Sequence, residues 1–532
     1  MTLIEAVGSN SEPAAGARRS SFSAANVNRV VNALISSAES RADVHMRWLE
    51  AVATRVTAAR PDLATALLEV LCAEAKGADH LAGLSIGEVG VCYEALLSEL
   101  DRDSRKSSGQ FFTPDDAAQF MAMRSVVFPE GVWLDPCCGV GNLSWHLASV
   151  QSDPAEFVRH RLILIDRDPT ALKTAIALIA ADFAAADDSA AVRHLATRSV
   201  RRDFLSRGRV PEHDFVIANP PYARAEAKSG FKTASSRDLF AYFIERVAET
   251  SRGFISVTPA SYLSAPKFQP LRDVVKRESR GGDVFVFDNV PDTLFRGYKF
   301  GSNNTSKTNF VRAAVTVAAP DASDWRITPI LRWQASERAR MFAECPSLLA
   351  PLRVGPHGEW AKLGPGLSSL WDTLASEPEK IGDLVAPSET EYSLDVGLTP
   401  RYFISATHRK LDRGSKATLH FRSAEDRDRA AVVLNSSLPY IWWRALDGGV
   451  TLPRRVLMSV PAPEVPEDVR PALVSMLRKS EEENLVTKLN AGRDNENVRH
   501  PKTLVDRLNK AVLPENGDMR LLYSNSMFPL DR

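Results

Sequence analysis

The spacing of hydrophobic residues changes twice along the 532 residues of the chain. From Ala25 to Leu100, apolar residues recur three and four positions apart, which is the period of an amphipathic helix. From Val132, short apolar runs alternate with helical patterns, and this alternation predicts βαβ units around a parallel sheet. After Ala318 the pattern weakens into short β-like runs with many prolines, until a charged helical stretch begins at Glu467. The predicted divisions are a mobile tail over 1–24, a helical domain over 25–106, an α/β domain over 107–318 and an α+β domain with C-terminal helices over 319–532.

Within the α/β region, each predicted strand is a short apolar run that a polar turn closes. The predicted strands are Val132–Leu134, Arg161–Ile165, a short strand before Arg202, Asp214–Ala218 and Gly253–Val257. The predicted helices are Leu143–Val150, Thr170 to about Ala185, and Asp238–Thr250. Two later segments, Asp283–Phe287 and Asn309–Val317, suit a late hairpin pair that closes the sheet.

The balance of charges excludes a chain that is basic throughout. There are 66 Lys and Arg residues and 66 Asp and Glu residues, so any surface for nucleic acid must be a local patch. Five cysteines without a CxxC pair indicate a reducing compartment, and they favour neither a disulfide framework nor a structural zinc site. The N-terminus lacks a secretory pattern, and no uncharged apolar run reaches membrane-spanning length, so we expect a soluble cytoplasmic protein.

A loop that contains two glycines follows the first predicted strand. Its sequence, Asp135-Pro-Cys-Cys-Gly-Val-Gly141, would let the backbone approach a ligand and leave the N–H groups of the next helix free. The spacing is not GxGxxG, and the lack of a following Lys-Ser/Thr excludes a P-loop. Asp166 ends the second strand, where an acid commonly binds the two ribose hydroxyls of a nucleoside. Asp203 follows the third, where its carboxylate could accept from an adenine amino group while Phe204 packs on the ring.

The tetrapeptide Asn219-Pro-Pro-Tyr222 follows the fourth predicted strand. It therefore lies at the carboxyl end of a parallel strand, where open α/β sheets bind their ligands. Its two prolines fix φ and remove two backbone donors. What remains is a stiff loop with carbonyl oxygens, one side-chain amide and one aromatic ring, which suits a planar substrate that bears an amino group. The alternative is an ordinary turn after a strand, since Asn-Pro is common in turns.

A fifth motif, Phe111-Phe112-Thr113-Pro114, precedes a helix from Asp115, with Thr113 as the predicted N-cap and Pro114 at the first helical position. In their order along the chain, these motifs resemble the gamma class of amino-group DNA methyltransferases. The resemblance covers roughly residues 86–317. It implies a Rossmann-like sheet, mostly parallel with a late antiparallel hairpin, and S-adenosyl-L-methionine as the methyl donor. Restriction–modification or anti-phage defence is the usual setting of that class.

The resemblance also implies which residues form the site. Thr113 and the glycine loop would hold the methionine end of the cofactor, Asp166 the ribose, and Asp203 with Phe204 the adenine. The full cofactor set is Phe112, Thr113, Pro114, Asp135, Gly139, Gly141, Asp166, Asp203 and Phe204. The catalytic set is Asn219, Pro220, Tyr222 and Phe295. Cys137 and Cys138 occupy positions that vary in the class, and we assign their thiols no role.

The chemistry that this class performs fits the Asn-Pro-Pro-Tyr loop. The lone pair of adenine N6 is delocalised into the ring, so acceptors for both of its N–H groups would draw the nitrogen toward tetrahedral geometry. The Asn219 side-chain oxygen and the Pro220 carbonyl are the candidate acceptors, and proximity then lowers the barrier without a metal. A base inside a duplex must flip out to reach such a loop. Tyr222 would stack on one face, a contact worth about 1–3 kcal/mol, and Phe295, or else Phe300, on the other.

The C-terminal region bears a looser resemblance to the target-recognition regions of such enzymes. The residues that carry it are Leu434–Trp443, Thr451–Arg455 and Val460–Pro463. Residues 401–460 hold eleven Lys and Arg against five Asp and Glu, and this excess is interleaved with Tyr402, Phe403, Phe421, Tyr440, Trp442 and Trp443. Such a stretch indicates binding to nucleic acid, here double-stranded DNA. The alternative is a solvated surface over an aromatic core.

Three other functions remain open at this point. The same tetrapeptide serves methyltransferases that act on cytosine N4, on RNA or on protein, although the Phe-Thr-Pro element and the long C-terminal region favour DNA. A non-catalytic DNA-binding subunit of a defence complex is a second alternative, which the intact Asn219–Tyr222 motif argues against. A fused nuclease is the third, because Pro61-Asp62 precedes Glu74-Ala75-Lys76, but both lie in a helical pattern and a nuclease core needs a strand. A separate restriction or specificity subunit is a possible partner.

Overall fold

The computed structural model describes residues 24–36, 40–100, 113–206, 208–295, 299–300, 303–304, 311–400, 403–490 and 493–514. Contacts divide the chain into two units. The first consists of residues 1–260 and 270–324, and the second of residues 261–269 and 325–532. The predicted four-part division of the chain stays a prediction. The predicted tail up to residue 23 and the polar link over 102–106 lie outside the described residues.

The first unit is built around a sheet that helices cover. Its strands are β1 Trp133–Asp135, β2 Leu162–Asp166, β3 Val200–Arg201, β4 Phe215–Ala218, β5 Gly253–Pro259, β6 Gly282–Phe287, β7 Lys299–Phe300, β8 Asn303–Asn304 and β9 Ala313–Ala318. Its helices are α1 Ala24–Ile35, α2 Arg41–Ala59, α3 Ala64–Leu71, α4 Ile86–Leu100, α5 Asp115–Met123, α6 Asn142–Ser149, α7 Pro169–Phe183, α8 Ser189–Arg198, α9 Leu239–Thr250 and α10 Gln269–Glu278. A short helical turn, Pro154–Glu156, runs into a π-helix over Phe157–Arg161 before β2.

The main sheet of this unit has the strand order β6-β9-β5-β4-β1-β2-β3. The pairs β1–β2, β1–β4, β2–β3 and β4–β5 are parallel, while β9 is antiparallel to both β5 and β6. The prediction of a mostly parallel sheet with a late antiparallel pair is therefore confirmed. The last strand differs from a simple closing hairpin because β9 lies between β5 and β6. All six of its side chains are buried, and a strand buried on both faces suits the interior of a sheet.

The strand order reverses at β1, which lies between β2 and β4. In open α/β sheets such a reversal leaves a crevice at the carboxyl ends of the two neighbouring strands. Every residue of β2 and β4 is buried, which explains why both read as continuous apolar runs without alternation. The loops that follow β1, β2 and β4 therefore meet at one end of the sheet.

The N-terminal helices pack onto the helices that cover this sheet. Helices α2 and α3 contact α7, and α3 also contacts α8. Trp48 of α2 is buried and donates its indole N–H to the Thr174 hydroxyl of α7 at 3.0 Å. The motif suggestive of a nuclease is not on a strand: Asp62 pairs with Arg60 at 2.7 Å, and Glu74 follows the end of α3 in an exposed segment. The helices predicted for this region are confirmed, but Glu74 lies outside them.

The second unit contains shorter strands and more helices. Its strands are β10 Trp325–Leu331, β11 Ala350–Pro351, β12 Arg353–Val354, β13 Trp360–Ala361, β14 Ser393–Gly397, β15 Ala406–Thr407, β16 Lys416–His420, β17 Leu485–Asn490 and β18 Arg493–Val498. Its helices are α11 Arg338–Glu344, α12 Ser368–Ser376, α13 Ile381–Leu384, α14 Ala424–Asn435, α15 Leu438–Leu446, α16 Arg454–Met458, α17 Arg470–Glu483 and α18 Lys502–Val512. Strands β15, β14 and β16 form an antiparallel sheet in that order, and β17 and β18 form a hairpin.

The aromatic residues of 401–460 are mostly core, so their interpretation as a stacking surface for nucleic acid is wrong. Tyr440, Trp442 and Trp443 lie on α15 and are each 1% exposed, and Phe421 is fully buried. The Trp442 ring stacks on Trp371 with 4.3 Å between centroids. A helix with large side chains on nearly all sides serves a core rather than a surface.

Several of the basic residues in this stretch are also internal. Arg429 is buried and its guanidinium lies 2.7 Å from the Glu379 carboxylate, while Lys416 lies 2.8 Å from Asp395. A charged pair that must be satisfied inside a fold is not available to a phosphate backbone. Arg409, Lys410, Arg422 and Arg454 are exposed, so DNA binding by basic residues of this stretch stays a prediction. Tyr402 lies outside the described residues. Among the helices that the structure describes, we find none whose length and apolar character would allow it to cross a membrane.

Candidate functional site

The glycine loop links β1 to α6 as predicted. Gly139 has φ +53°, and the space in front of its Cα is open. Gly141 has φ +95°, and a Cβ there would lie 2.9 Å from the Cβ of Ala175 on α7. The two glycines thus have different physical roles: Gly139 leaves room on the crevice side, and Gly141 permits close packing of the loop on a helix.

Asp135 is the last residue of β1, and its carboxyl group is almost completely buried. It accepts hydrogen bonds from the Ser144 hydroxyl at 2.8 Å and from the Cys137 backbone N–H at 3.3 Å. Burial raises the pKa of this carboxyl to about 7, because a charged carboxylate loses its hydration there. A cation placed against Asp135 would restore its charge.

Asp166 ends β2 and connects the loops after β1 and β2. One carboxylate oxygen accepts from the Gly139 N–H and the other from the Asp168 N–H, each at 2.8 Å. Burial raises the pKa of Asp166. The site therefore holds two neighbouring carboxyl groups that share the glycine loop, as the positions of the acids in the sequence predicted.

The acid that follows the third strand is more exposed to solvent than Asp135 and Asp166. Asp203 is exposed, and one of its oxygens accepts from the Leu205 N–H at 2.9 Å. Phe204 is buried, with its ring 5.4 Å from that of Phe243, and the guanidinium of Arg246 lies 5.2 Å from the Phe204 ring centre. Asp203 thus presents a carboxylate beside an aromatic wall.

Thr113 contacts Asn219 instead of capping a helix, so the predicted N-cap is wrong. Helix α5 begins at Asp115 and its N-cap is Pro114, which makes no side-chain capping bond. The Thr113 hydroxyl accepts from the Asn219 side-chain amide at 2.9 Å, and the Thr113 carbonyl accepts from Asn142 at 2.6 Å. Pro114 has an extended backbone (φ −60°, ψ 150°), so Thr113 lies before the helix and its hydroxyl is free of the capping position.

The Asn219-Pro-Pro-Tyr222 tetrapeptide is fixed at three points. Its Asn219 carboxamide is held by Thr113, and the Asn219 carbonyl accepts from the Cys137 thiol at 3.3 Å. The Tyr222 hydroxyl donates to the Val257 carbonyl of β5 at 3.0 Å. Burial raises the pKa of Tyr222 well above its usual value, so the phenol stays a donor. These bonds join the loop to the cofactor-side loop and to the neighbouring strand.

The two predicted stacking rings touch each other. The rings of Tyr222 and Phe295 meet edge to face with centroids 5.8 Å apart, and Phe295 is 2% exposed. A planar base between them would require the rings to separate. The side chain of Phe300 lies outside the described residues.

A cavity of about 230 Å³ opens at this end of the sheet. A single water needs roughly 10–15 Å³ by this measure, so the space suits an organic molecule rather than an ion. Predicted residues that line it are Thr113, Asp135, Gly139, Asp166, Asp203, Phe204 and Asn219. Predicted residues that are not in its wall are Pro114, Gly141, Pro220, Tyr222 and Phe295. Phe112 lies outside the described residues.

The wall also contains residues that the sequence did not single out. Helix α4 contributes Gly90, Tyr93, Glu94 and Leu97, and the loop after Tyr222 contributes Lys228. The apolar period of α4 predicted a helix. It could not predict that this helix lines the cavity, because its position depends on how elements distant in the chain pack together. Asn142 also lines the cavity, and the sequence feature that pointed to it was its position at the start of α6, directly after the glycine loop.

Residues 85–251 match the family model for N-6 DNA Methylase. This range is about a third of the chain, and over it the sequence is similar to N-6 DNA methylases. This match confirms the resemblance to amino-group DNA methyltransferases, and its range spans α4, the glycine loop, both buried acids and Asn219. The methylase match ends at α9, so it does not extend to the later strands or to the second unit. No curated protein matches the chain.

Solved structures with similarity to this chain include proteins from restriction systems. The DrdV–DNA complex is 13% identical, with 90% of this chain and 56% of that chain covered and a TM-score of 0.46. A type I restriction-modification methyltransferase subunit from Streptococcus thermophilus is 17% identical, covering 47% and 53%, with a TM-score of 0.32. The type IIG restriction endonuclease BpuSI is 12% identical, covering 94% and 78%, with a TM-score of 0.38. The chain spans about half the length of the first two.

Proposed function

We propose that this protein transfers a methyl group from S-adenosyl-L-methionine to N6 of an adenine flipped out of double-stranded DNA, in a restriction–modification or anti-phage system. The observation that carries the proposal is the position of Asn219. It lies at the carboxyl end of β4, in the wall of a cavity that the acids of three neighbouring strand ends also line, within the range that is similar to N-6 DNA methylases. An amide acceptor and a nucleoside-sized acidic cavity suit transfer to an amino group.

The cavity fits this cofactor chemically. S-adenosyl-L-methionine carries an ammonium group, a sulfonium, a ribose diol and an adenine. Among the acidic residues that line the cavity, Asp135, Asp166 and Asp203 match the cations, the diol and the base amino group. The open space at Gly139 lets a ligand approach the backbone. When bound, the cofactor supplies an electrophilic methyl group.

Each acid has a distinct part in the proposal. Asp135 is only about half ionised near pH 7 when alone, so the ammonium of the methionine end would stabilise its charged form. Asp166 already accepts two backbone N–H bonds, and a carboxylate has further lone pairs for the ribose hydroxyls. Asp203 and Phe204 form the adenine end. Thr113 completes the methionine end, opposite the glycine loop.

The residues of the tetrapeptide would bind and orient the target amino group. Thr113 fixes the Asn219 carboxamide through its amide nitrogen, so the orientation of the carboxamide oxygen is fixed as well. That oxygen and the Pro220 carbonyl would accept the two N–H bonds of the target. With its lone pair localised, the nitrogen would accept the methyl group that the bound cofactor supplies, and it would then release one N–H proton to water. Tyr222 and Phe295 would enclose the base after their rings separate.

The test is transfer of labelled methyl into duplex DNA, with the product nucleosides resolved. We expect label in N6-methyladenine. Asn219→Ala should reduce kcat by about 100-fold or more, as loss of a preorganised transition-state hydrogen bond does, while cofactor affinity changes little. Asn32→Ala, an exposed asparagine on α1, is the matched control and should retain full activity.

Three results would overturn the proposal: label in cytosine, label in no base, or an unimpaired Asn219→Ala enzyme. Label in cytosine would support the N4 alternative instead. Running the assay with this chain alone, and then with added specificity or restriction subunits from the same locus, tests whether a partner is required.

A further inference from the structure

Helix α4 forms one wall of the cavity although it precedes every residue of the predicted cofactor and catalytic sets. Its residue Tyr93 is 5% exposed and lines the cavity opposite the glycine loop. The Tyr93 hydroxyl donates to one carboxylate oxygen of Asp168 at 2.6 Å. This length is typical of a charge-assisted O–H···O bond, which is stronger than a neutral one.

Asp168 links Tyr93 to Asp166, the acid that the proposed function assigns to the ribose. Its other carboxylate oxygen accepts from the N–H groups of Thr170 and Ala171, which caps α7. Its backbone N–H donates to Asp166, and the second Asp166 oxygen accepts from Gly139. An unbroken series of hydrogen bonds therefore runs from α4 through Asp168 and Asp166 to the glycine loop.

The tyrosine end of this series is rigid. The Tyr93 ring packs against Trp48 with 5.0 Å between centroids, and the Trp48 indole is bonded to Thr174 of α7. Burial and the Asp168 charge raise the pKa of the Tyr93 phenol, so it is always protonated and always a donor. Because α2, α4 and α7 fix the phenol, Asp168 has a donor of fixed position.

We propose that Tyr93 is a positioning residue for the cofactor site, which holds Asp168 and through it the orientation of the Asp166 carboxylate. The inference rests on the proposed function, since Asp166 is the residue assigned there to the ribose diol. It makes the N-terminal helices part of the cofactor site. Without the hydroxyl, one oxygen of Asp168 loses its donor, and the residue that carries the N–H bonded to Asp166 is then held only by the cap of α7.

The test compares Tyr93→Phe with the wild-type protein. We expect the Kd for S-adenosyl-L-methionine, measured by calorimetry, to rise about tenfold, equivalent to about 1.4 kcal/mol. Turnover at saturating cofactor and the affinity for duplex DNA should stay near wild type. Tyr242→Phe is the matched control, because it removes another buried phenol, which bonds the Glu226 and Ala234 carbonyls and does not line the cavity. It should lower Tm and leave the cofactor Kd unchanged.

A double-mutant cycle with Asp168→Asn separates positioning from general damage. The asparagine keeps the cap of α7 but removes the charge that strengthens the bond from Tyr93, so Tyr93→Phe should weaken cofactor binding less in that background. Additive effects, a cofactor Kd that Tyr93→Phe leaves unchanged, or an equal rise in Kd for Tyr242→Phe would each overturn the inference. A wild-type protein that binds no S-adenosyl-L-methionine would instead overturn the proposed function, and this inference with it.

Discussion

Replacing Asp135 by asparagine tests whether the protein holds a destabilising carboxyl group for the sake of its ligand. Asparagine has the same shape, and its oxygen can accept from the Cys137 N–H. Its amide can donate to Ser144, whose hydroxyl turns to accept. Asp135→Asn therefore removes the charge of a buried group while it keeps the hydrogen bonds.

The size of the effect follows from the pKa. Burial raises the pKa of Asp135 from 3.8 to about 7, a shift of about three units. At about 1.36 kcal/mol per unit, the folded wild type is destabilised by about 4 kcal/mol above pH 7 relative to an uncharged side chain. For an acid with a raised pKa, the stability is highest below pH 3.8 and is lost as the pH rises to 7. The advantage of Asp135→Asn should thus fall from about 4 kcal/mol at pH 8 to below about 2 kcal/mol at pH 5.

The assay is unfolding by urea at pH 5, 6, 7 and 8, in parallel with cofactor binding. Asp135→Asn should be the more stable protein at pH 8 and the weaker binder of S-adenosyl-L-methionine, because it cannot pair with the ammonium. The wild type should bind the cofactor more weakly as the pH falls below 7. Asp182→Asn, an exposed aspartate that accepts one hydrogen bond from Trp145, is the control. A variant that is no more stable than wild type at pH 8, or whose advantage is the same at every pH, would refute the reasoning.

Three further predictions concern the loop, its packing and the second unit. Thr113→Val removes the partner of the Asn219 amide and should lower kcat about tenfold, with little further loss in an Asn219→Ala background, as steady-state kinetics would measure. Gly141→Ala places a Cβ 2.9 Å from that of Ala175 at φ +95° and should reduce the free energy of unfolding by about 1–3 kcal/mol. Trp442→Phe removes a buried stack and should lower Tm. The salt dependence of DNA binding by this variant should match that of the wild type, since the Trp442 ring is 1% exposed. A weaker salt dependence than that of the wild type would indicate that this helix contacts DNA.

Much of the first unit could be predicted because its signals are local. Asp168-Pro169 starts α7 by a side-chain cap and a fixed φ, both of which depend on adjacent residues. The apolar runs of β2 and β4 stop at Asp166 and just before Asn219, so the position of the crevice followed from the order of the elements. The basic, aromatic stretch near 440 misled the prediction, since composition cannot tell a core helix from a surface that stacks on bases.

The Asn219 loop, its neighbouring acids and the two glycines were determined by the sequence itself, because each depends on the strand that ends just before it. The tertiary structure alone decided what holds them. Thr113 reaches Asn219 across 106 residues, and Tyr93 reaches Asp168 across 75. It also decided that Tyr222 contacts Phe295 and that β9 lies between β5 and β6. Such contacts join elements that are distant in the chain, and their choice depends on how whole helices and strands pack, which no local spacing of residues encodes.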